Sequence, residues 1–147
     1  METTAVRTLQ LEVAGRVLTA QLEWEAAPRT CAAFASTLPL ESKLVHCRWC
    51  GEGVWLPLGE ADYGVGFENA SAHPYPGQVL LYPGGASETE ILLPYGATHF
   101  YSKAGPLVGN HFMTIVEGLD ELPAIGHDAL WTGAKDIVVR ALDGAGA

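Results

Sequence analysis

Apolar residues recur at every second position near the start of the chain, and this period constrains the fold more than any other feature. Residues 6–13 end in a run where leucine or valine alternates with a polar residue. Successive side chains of a strand point to opposite faces, so the run predicts a strand with one buried face. The alternation resumes in residues 16–24 after Ala14-Gly15, which suits a two-residue turn because glycine tolerates positive φ. The two segments predict a β-hairpin.

Further strand candidates follow, interrupted by two helical segments. Pro28 suits the first turn of a helix, since its missing N–H has no intrahelical partner there, and residues 30–37 carry apolar side chains at helical spacing. Residues 119–130 predict a second short helix, and the Gly- and Pro-containing residues 58–76 predict a loop. The remaining strand candidates are residues 43–49, 53–57, 78–82, 88–93, 98–102, 111–117 and 136–142.

About eight short strands with two separate helices predict a mainly β fold. We expect a closed or nearly closed β-barrel with two short capping helices. A chain of 147 residues has the usual size of one domain, so we expect a single domain spanning 1–147.

The charge balance restricts the partners. The chain has 17 Asp and Glu against 8 Lys and Arg, and its net charge of −9 repels phosphate backbones, so we expect no nucleic-acid partner. No apolar run reaches the length of a membrane span, and the first ten residues lack the pattern of a signal peptide. We therefore expect no membrane partner and a cytoplasmic protein. Three cysteines are too few for a disulfide framework, which agrees with that compartment.

Two stretches resemble the cyclophilins. Residues 13–17 and 27–34 are similar to the cyclophilin start, where a hairpin precedes an Ala/Val-Pro-Lys/Arg-Thr segment that opens a helix containing Phe. Residues 116–122 and the closing strand 136–142 are similar to the cyclophilin end. This resemblance implies a cyclophilin-like barrel.

The middle of the chain departs from the cyclophilins. Their prolyl isomerase motif, a Phe-His-Arg strand followed by Phe and a Gln-Gly-Gly-Asp run, is replaced by residues 45–52, where Arg48 alone matches. The chain instead resembles a bacterial family of unknown function within the cyclophilin-like superfamily. The segments that carry this second resemblance are Glu68-Asn69, residues 75–78 and 82–85, Tyr95-Gly96 and Gly109-Asn110.

The cyclophilin binding groove lies on the outside of the barrel, over the strand that corresponds to residues 43–49. If alternation puts Trp49 inside the barrel, it puts Leu44, His46 and Arg48 outside. The resemblance then places His46 and Arg48 in a surface groove. The alternative is an exposed histidine and arginine paired with nearby carboxylates.

Five further residues are candidates for the same groove. Glu68 and Asn69 put an acid beside an amide in the long loop, where the pair can bind a polar ligand or cap a turn. Tyr95 and Asn110 adjoin glycines and can hydrogen-bond a substrate or serve turns. His99 lies in a predicted strand beside Phe100.

Two close pairs invite a chemical interpretation and have a structural alternative. Cys47 and Cys50 form a C-x-x-C, but no helix is predicted there to lower a thiol pKa, and no further ligands complete a zinc site. We therefore expect two buried cysteines. Glu88 and Glu90 share a strand face and suit either an acid/base or metal-binding pair or a solvated sheet edge, and we favour the edge.

The leading hypothesis is a small-molecule-binding protein, and possible enzyme, that takes a small polar or anionic ligand in an outer-face groove. Proton transfer would use His46 or His99, since imidazole titrates near neutral pH, and Arg48 would hold an anionic group. We expect no metal and no cofactor. The alternative is a peptidyl-prolyl isomerase or proline-peptide-binding module.

Several aromatic residues lie in segments that we expect to be partly exposed, and this predicts an interface. Large exposed apolar patches usually mark an interface or a ligand groove, and a two-fold dimer is the commonest assembly. We therefore expect a homodimer rather than a monomer. The residues concerned are Trp55, Tyr63, Phe67, Tyr75, Tyr82 and Trp131.

Overall fold

The computed structural model describes residues 5–144, and within them the chain forms eleven strands and two α-helices. The predicted domain spans 1–147, so residues 1–4 and 145–147 lie outside the described part. The helices are α1 (Pro28–Ala35) and α2 (Leu122–Thr132). The strands are β1 (Thr8–Val13), β2 (Arg16–Leu22), β3 (Leu40–His46), β4 (Gly51–Gly59), β5 (Ala70–Ser71), β6 (Gln78–Tyr82), β7 (Thr89–Thr98), β8 (Tyr101–Ser102), β9 (Gly105–Pro106), β10 (Gly109–Glu117) and β11 (Lys135–Ala141).

Eight strands close into an antiparallel barrel in the order β2-β1-β11-β3-β4-β7-β6-β10, and β10 pairs back with β2. Closure leaves these strands without a free edge. The short strand β5 adds to β10, while β8 and β9 form a separate hairpin. The prediction of a mainly β barrel with two short helices is confirmed.

The first hairpin forms as its sequence predicts. Ala14 and Gly15 have φ of 51° and 78°, the pair of positive values that a two-residue hairpin turn of the primed type requires. Val13 pairs with Arg16 across that turn, and this register buries Leu9, Leu11 and Val13 on the barrel side. Register and burial therefore agree, because a slip by one residue would turn this apolar face outward.

Both helices pack into the core of the barrel. Helix α1 begins at Pro28 and buries Phe34, whose ring packs edge-on against Phe112 with a centroid separation of 5.0 Å. Helix α2 buries Leu122 and Ile125 in the same apolar cluster. None of the helices among residues 5–144 is both long enough and apolar enough to cross a membrane.

A second apolar cluster lies on the outer face of the barrel. Along β7, Ile91, Leu93 and Tyr95 join the inner core, whereas Leu92 joins the outer cluster. Every residue from Thr89 to Tyr95 is buried, so this strand is covered on both faces. The cluster consists of Cys47, Cys50, Leu80, Tyr82, Leu92, Phe100 and Leu107.

After β7 the chain leaves the barrel, and the segment that follows packs over the outer cluster. Residues 98–102 were predicted to be one strand, but Thr98 ends β7 and Tyr101–Ser102 form β8, which pairs with β9 rather than with the barrel. The Phe100 N–H donates to the Ala72 carbonyl at 2.8 Å, which ties the covering segment to the long loop. The buried ring of Phe100 belongs to the outer cluster.

The predicted strand 43–49 is confirmed for residues 43–46, but its last three residues and its face assignment are wrong. Strand β3 ends at His46, and Arg48–Cys50 form one turn of 3-10 helix. Leu44 is fully buried in the inner core, while Trp49 is 53% exposed. After the 3-10 turn the chain enters β4 at Gly51, whose φ is 114° and where a Cβ would lie 2.5 Å from a backbone oxygen.

The aromatic residues predicted to be partly exposed differ in their surroundings. Trp131, Tyr75 and Phe67 are exposed, whereas Tyr82 is buried in the outer cluster. Tyr63 stacks against the ring of Phe34. The expected homodimer stays a prediction.

Candidate functional site

His46 faces the barrel interior and not the outer surface. Its cross-strand partner Val54 is a core residue, and paired residues share a face. The His46 Nε2 atom lies 2.7 Å from the Tyr95 hydroxyl, and its Nδ1 is buried with no hydrogen-bond partner in residues 5–144. Burial, together with the charges of Arg48 and His127, lowers the pKa of His46 below its usual value. The imidazole is therefore neutral at neutral pH and ties β3 to β7.

Glu68 and Asn110 lie together in a hydrogen-bond network. The Glu68 carboxylate accepts hydrogen bonds from the Thr30 N–H at 2.6 Å and the Thr30 hydroxyl at 2.7 Å. The fully buried Asn110 accepts one from the Glu68 N–H at 3.0 Å and donates to Thr30 Oγ1 and to the Gly66 carbonyl. Both amide donors of Asn110 are thus used to hold the long loop against α1 and β10.

Among the other predicted residues, Asn69 and His99 lie apart from His46, whereas Arg48 is near enough for its charge to lower the pKa of His46. Asn69, with φ of 50°, donates from its amide to the His111 carbonyl at 2.8 Å, beside the Glu68 network. His99 is exposed, and the centroid of its ring lies 4.0 Å from the ring centroid of His73. Arg48 is exposed on the 3-10 turn. The seven candidates therefore do not converge on one groove, and their catalytic and binding roles stay predictions.

A pocket of about 460 Å³ opens on the outer face of the barrel, over β4 and β7. Trp49 and Trp55 form one wall, with their rings edge to face at a centroid separation of 5.8 Å. The Trp55 Nε1–H is buried and has no hydrogen-bond acceptor within the described chain. The residues that line the pocket are Trp49, Trp55, Ser87, Glu88, Glu90, Ser102 and Lys103.

Glu90 brings an unusual carboxyl to this pocket. Its residue is 5% exposed, and burial, with the charges of Cys50 and Glu88, raises the pKa of its carboxyl to about 8. At neutral pH the group is therefore mostly protonated and can donate a hydrogen bond. The predicted solvated edge is wrong for Glu90, although Glu88 is exposed. Glu88 and Lys103, both exposed, add one charge of each sign to the pocket.

Cys47 and Cys50 are buried beside the pocket, as expected. A hydrogen bond between the two thiols raises the pKa of Cys47, and burial raises it further. The same hydrogen bond lowers the pKa of Cys50, against the effect of burial. The Cys50 thiol also contacts the backbone of Tyr101, with Sγ 3.3 Å from its carbonyl oxygen and 3.4 Å from its nitrogen. Among residues 5–144, no three His, Cys, Asp or Glu side chains are placed to hold a metal ion.

The sequence analysis did not predict the pocket, because it placed Trp49 inside the barrel and Glu90 on a solvent-exposed sheet edge. One signal for Glu90 was present: the apolar run that follows it, residues 91–95, has no polar alternation. A continuous apolar run marks a strand buried on both faces. No such signal marked the position of Trp49. Its side chain is exposed because β3 ends at His46 and the chain continues in a 3-10 turn.

The solved structures that resemble this fold include those of McbB and AF2241. The structure of McbB in complex with tryptophan superposes with a TM-score of 0.69 at 17% identity, covering 95% of this chain and 46% of McbB. This chain therefore spans less than half the length of McbB. The solution structure of the hypothetical protein AF2241 from Archaeoglobus fulgidus has a TM-score of 0.60 at 21% identity, covering 94% of this chain and 96% of AF2241. At these identities the likeness is one of fold.

Sequence comparison reaches a family without an assigned activity. Residues 9–140 match the family described as "Protein of unknown function (DUF3830)". No curated protein matches the chain. The resemblance to cyclophilins and the bacterial origin stay predictions, since none of these matches tests them.

Proposed function

The chain belongs to the DUF3830 family of unknown function, and from this premise we propose that it binds a small polar ligand in the outer-face pocket. The observation that carries the proposal is Glu90, a nearly buried carboxyl at the wall of an open pocket of about 460 Å³. A buried acid with a raised pKa costs stability, and such groups concentrate at functional sites. The pocket volume lies within the usual range for small-molecule sites.

The chemistry of the lining favours an aromatic amino acid or a similar amine. The two indole rings of Trp49 and Trp55 suit a flat apolar group, and their faces also attract cations. An ammonium group would pair with the exposed Glu88, and with Glu90 once that carboxyl has released its proton, and a carboxylate would pair with Lys103. McbB, a protein of similar fold, is bound to tryptophan, a ligand of this class, which supports the choice.

This proposal keeps the polar ligand that the sequence predicts and moves its site. Neither His46 nor His99 lines the pocket. Glu90 is therefore the group that would exchange a proton with a bound ligand, because its pKa of about 8 lies close to neutral pH. An anionic group on the ligand would meet Lys103 instead of Arg48.

Calorimetry with three related compounds tests the proposal. We expect tryptophan to bind, with weaker binding by tryptamine, which lacks the carboxylate, and by indole-3-propionate, which lacks the amine. Trp55→Leu should weaken tryptophan binding about tenfold, in line with about 1.4 kcal/mol for a desolvated aromatic or cation contact. Glu90→Gln should weaken the two amines and spare indole-3-propionate.

A matched control separates the pocket from non-specific binding to indole rings. Trp131 is 77% exposed and lies outside the pocket, so Trp131→Leu should leave all three affinities unchanged. Equal effects of Trp55→Leu and Trp131→Leu, or no binding by any of the compounds, would overturn the proposal.

The prolyl isomerase alternative depends on Arg48, which does not line the pocket. It has a direct test in a proline-peptide isomerisation assay. A clear rate enhancement that disappears in Arg48→Ala would replace the ligand-binding proposal with the isomerase.

A further inference from the structure

We propose that Cys47 and Cys50 form a dithiol–disulfide couple that exchanges with low-molecular-weight disulfides such as oxidised glutathione. This inference does not depend on the ligand proposed for the pocket. It assigns an activity to the C-x-x-C, whose two cysteines the sequence analysis predicted to be buried and without a chemical role.

The backbone holds the two cysteines in a turn whose Cα separation is compatible with a disulfide. The Cys50 N–H donates to the Cys47 carbonyl at 2.8 Å and closes a turn between residues i and i+3. Such turns bring the two Cα atoms within about 7 Å, and disulfides span Cα separations of about 4.4–6.8 Å. Interaction between the two thiols also shifts their pKa values in opposite directions. Oxidation would therefore leave the barrel strands in place.

The surroundings distinguish an attacking thiol from a resolving one. Cys50 Sγ receives hydrogen bonds from the Tyr101 N–H and from the Cys47 thiol, and both stabilise a thiolate. These contacts lower the pKa of Cys50, whereas that of Cys47 is raised. Cys50 is 6% exposed and Cys47 is 1% exposed, so solvent reaches Cys50 first. The thiolate is the attacking species in disulfide exchange.

Glu90 stands on the same side and reinforces this assignment. A negative charge on Cys50 is one cause of the raised pKa of Glu90, so the two groups are close. With Glu90 protonated, the Cys50 thiolate has no adjacent carboxylate charge to repel it. The 3-10 turn Arg48–Cys50 is too short to supply a helix dipole, and the hydrogen bonds to Cys50 take over that role.

The exchange balances in two steps. The Cys50 thiolate attacks one sulfur of oxidised glutathione, which forms a mixed disulfide and releases one glutathione thiolate. The Cys47 sulfur then attacks the Cys50 sulfur, and its proton passes to the departing glutathione sulfur, so that the second glutathione leaves as a thiol. The protein loses two electrons and two protons, and the glutathione disulfide gains both to become two thiols.

Cys31 provides an internal control. Its thiol is fully buried in α1, contacts the Phe112 carbonyl at 3.4 Å, and belongs to the inner core. Burial raises the pKa of Cys31 to about 12. It should therefore stay reduced under conditions that oxidise the pair.

The experiment equilibrates the folded protein with oxidised glutathione, blocks free thiols, and maps the cysteines by mass spectrometry. We expect wild type to lose two hydrogens in the peptide that holds both cysteines of the pair. Cys47→Ser should accumulate one glutathione on Cys50, since the resolving thiol is gone. Cys50→Ser should react at least about tenfold more slowly, and Cys31→Ser should behave as wild type.

Wild type alone also decides the question if a variant does not fold. Circular dichroism before and after oxidation establishes that the barrel persists. Folded wild-type protein that keeps both thiols of the pair free in excess oxidised glutathione would overturn the proposal. A glutathione adduct that stays on wild type without resolving would also overturn it.

Discussion

The buried carboxyl of Glu90 makes the stability of this protein depend on pH in a predictable direction. Its pKa is about 8 in the folded chain, against 4.5 for an ordinary glutamate. Between these two values the folded state holds a proton that the unfolded state has released. The free energy of unfolding should therefore fall as pH rises from about 4.5 to about 8, and the loss should be complete above that range.

The size of the effect follows from the pKa difference. Each pH unit corresponds to about 1.4 kcal/mol, so a rise from 4.5 to about 8 corresponds to about 5 kcal/mol as an upper bound. The pocket beside Glu90 opens to water, which screens the carboxylate, and we reduce the figure to about 2 kcal/mol. Glu90→Gln keeps the shape of the side chain and removes the titration.

Urea unfolding at pH 5 and pH 9, followed by tryptophan fluorescence, measures this contribution. Glu90→Gln should match wild type at pH 5, where both side chains are neutral, and exceed it by about 2 kcal/mol at pH 9. Other groups titrate over this range, so the difference between variant and wild type is the informative quantity. Glu41→Gln, an exposed residue on β3, should parallel wild type at both pH values.

A gap between Glu90→Gln and wild type that is the same at pH 5 and pH 9 would refute the reasoning. That result would mean that the folded carboxyl titrates as an ordinary glutamate does. The protonated acid would then be unavailable for the role proposed in the pocket.

Three further predictions concern stability and assembly. Asn110→Ala should lower the free energy of unfolding by about 2 kcal/mol in urea, since its buried partners lose their hydrogen bonds, while a loss below about 0.5 kcal/mol would contradict this. Gly126→Ala should lower the melting temperature, because its Cβ would lie 2.3 Å from a tyrosine ring, at a cost of about 1–3 kcal/mol. Gly66→Ala, whose Cβ meets nothing within 4 Å, should melt as wild type does. Light scattering at micromolar concentration should give a dimer, with Trp131 in exposed apolar surface, and a mass of one 15.6 kDa chain would remove the dimer.

The parts of the fold that the sequence predicted well depend on neighbouring residues. The turn at Ala14 and Gly15 needs positive φ at two adjacent positions, and the alternation on either side assigns the buried face. Pro28 marks the start of α1 for an equally local reason. These signals lie within a few positions of the structure that they specify.

The candidate site was predicted poorly because its members come from distant segments. Period-two alternation assigned His46 and Trp49 to faces on the assumption that one strand continued through both. The strand ends between them, and the next strand begins at Gly51, where a Cβ would clash with a backbone oxygen of β7. A contact of this kind has no local sequence signature.

The amino-acid sequence by itself determined most of the strands, the two helices and the charge of this protein, since each follows from local periodicity, turn chemistry or composition. Only the tertiary structure decided which side chains on the outer face of the barrel are buried from solvent. Glu90 stands on the outer face of β7, where a strand residue would ordinarily meet water, and it is buried because the segment after Thr98 crosses that face. Burial is a property of the closed barrel and its cover, so the raised pKa of Glu90 and the pocket beside it exist only once both are in place.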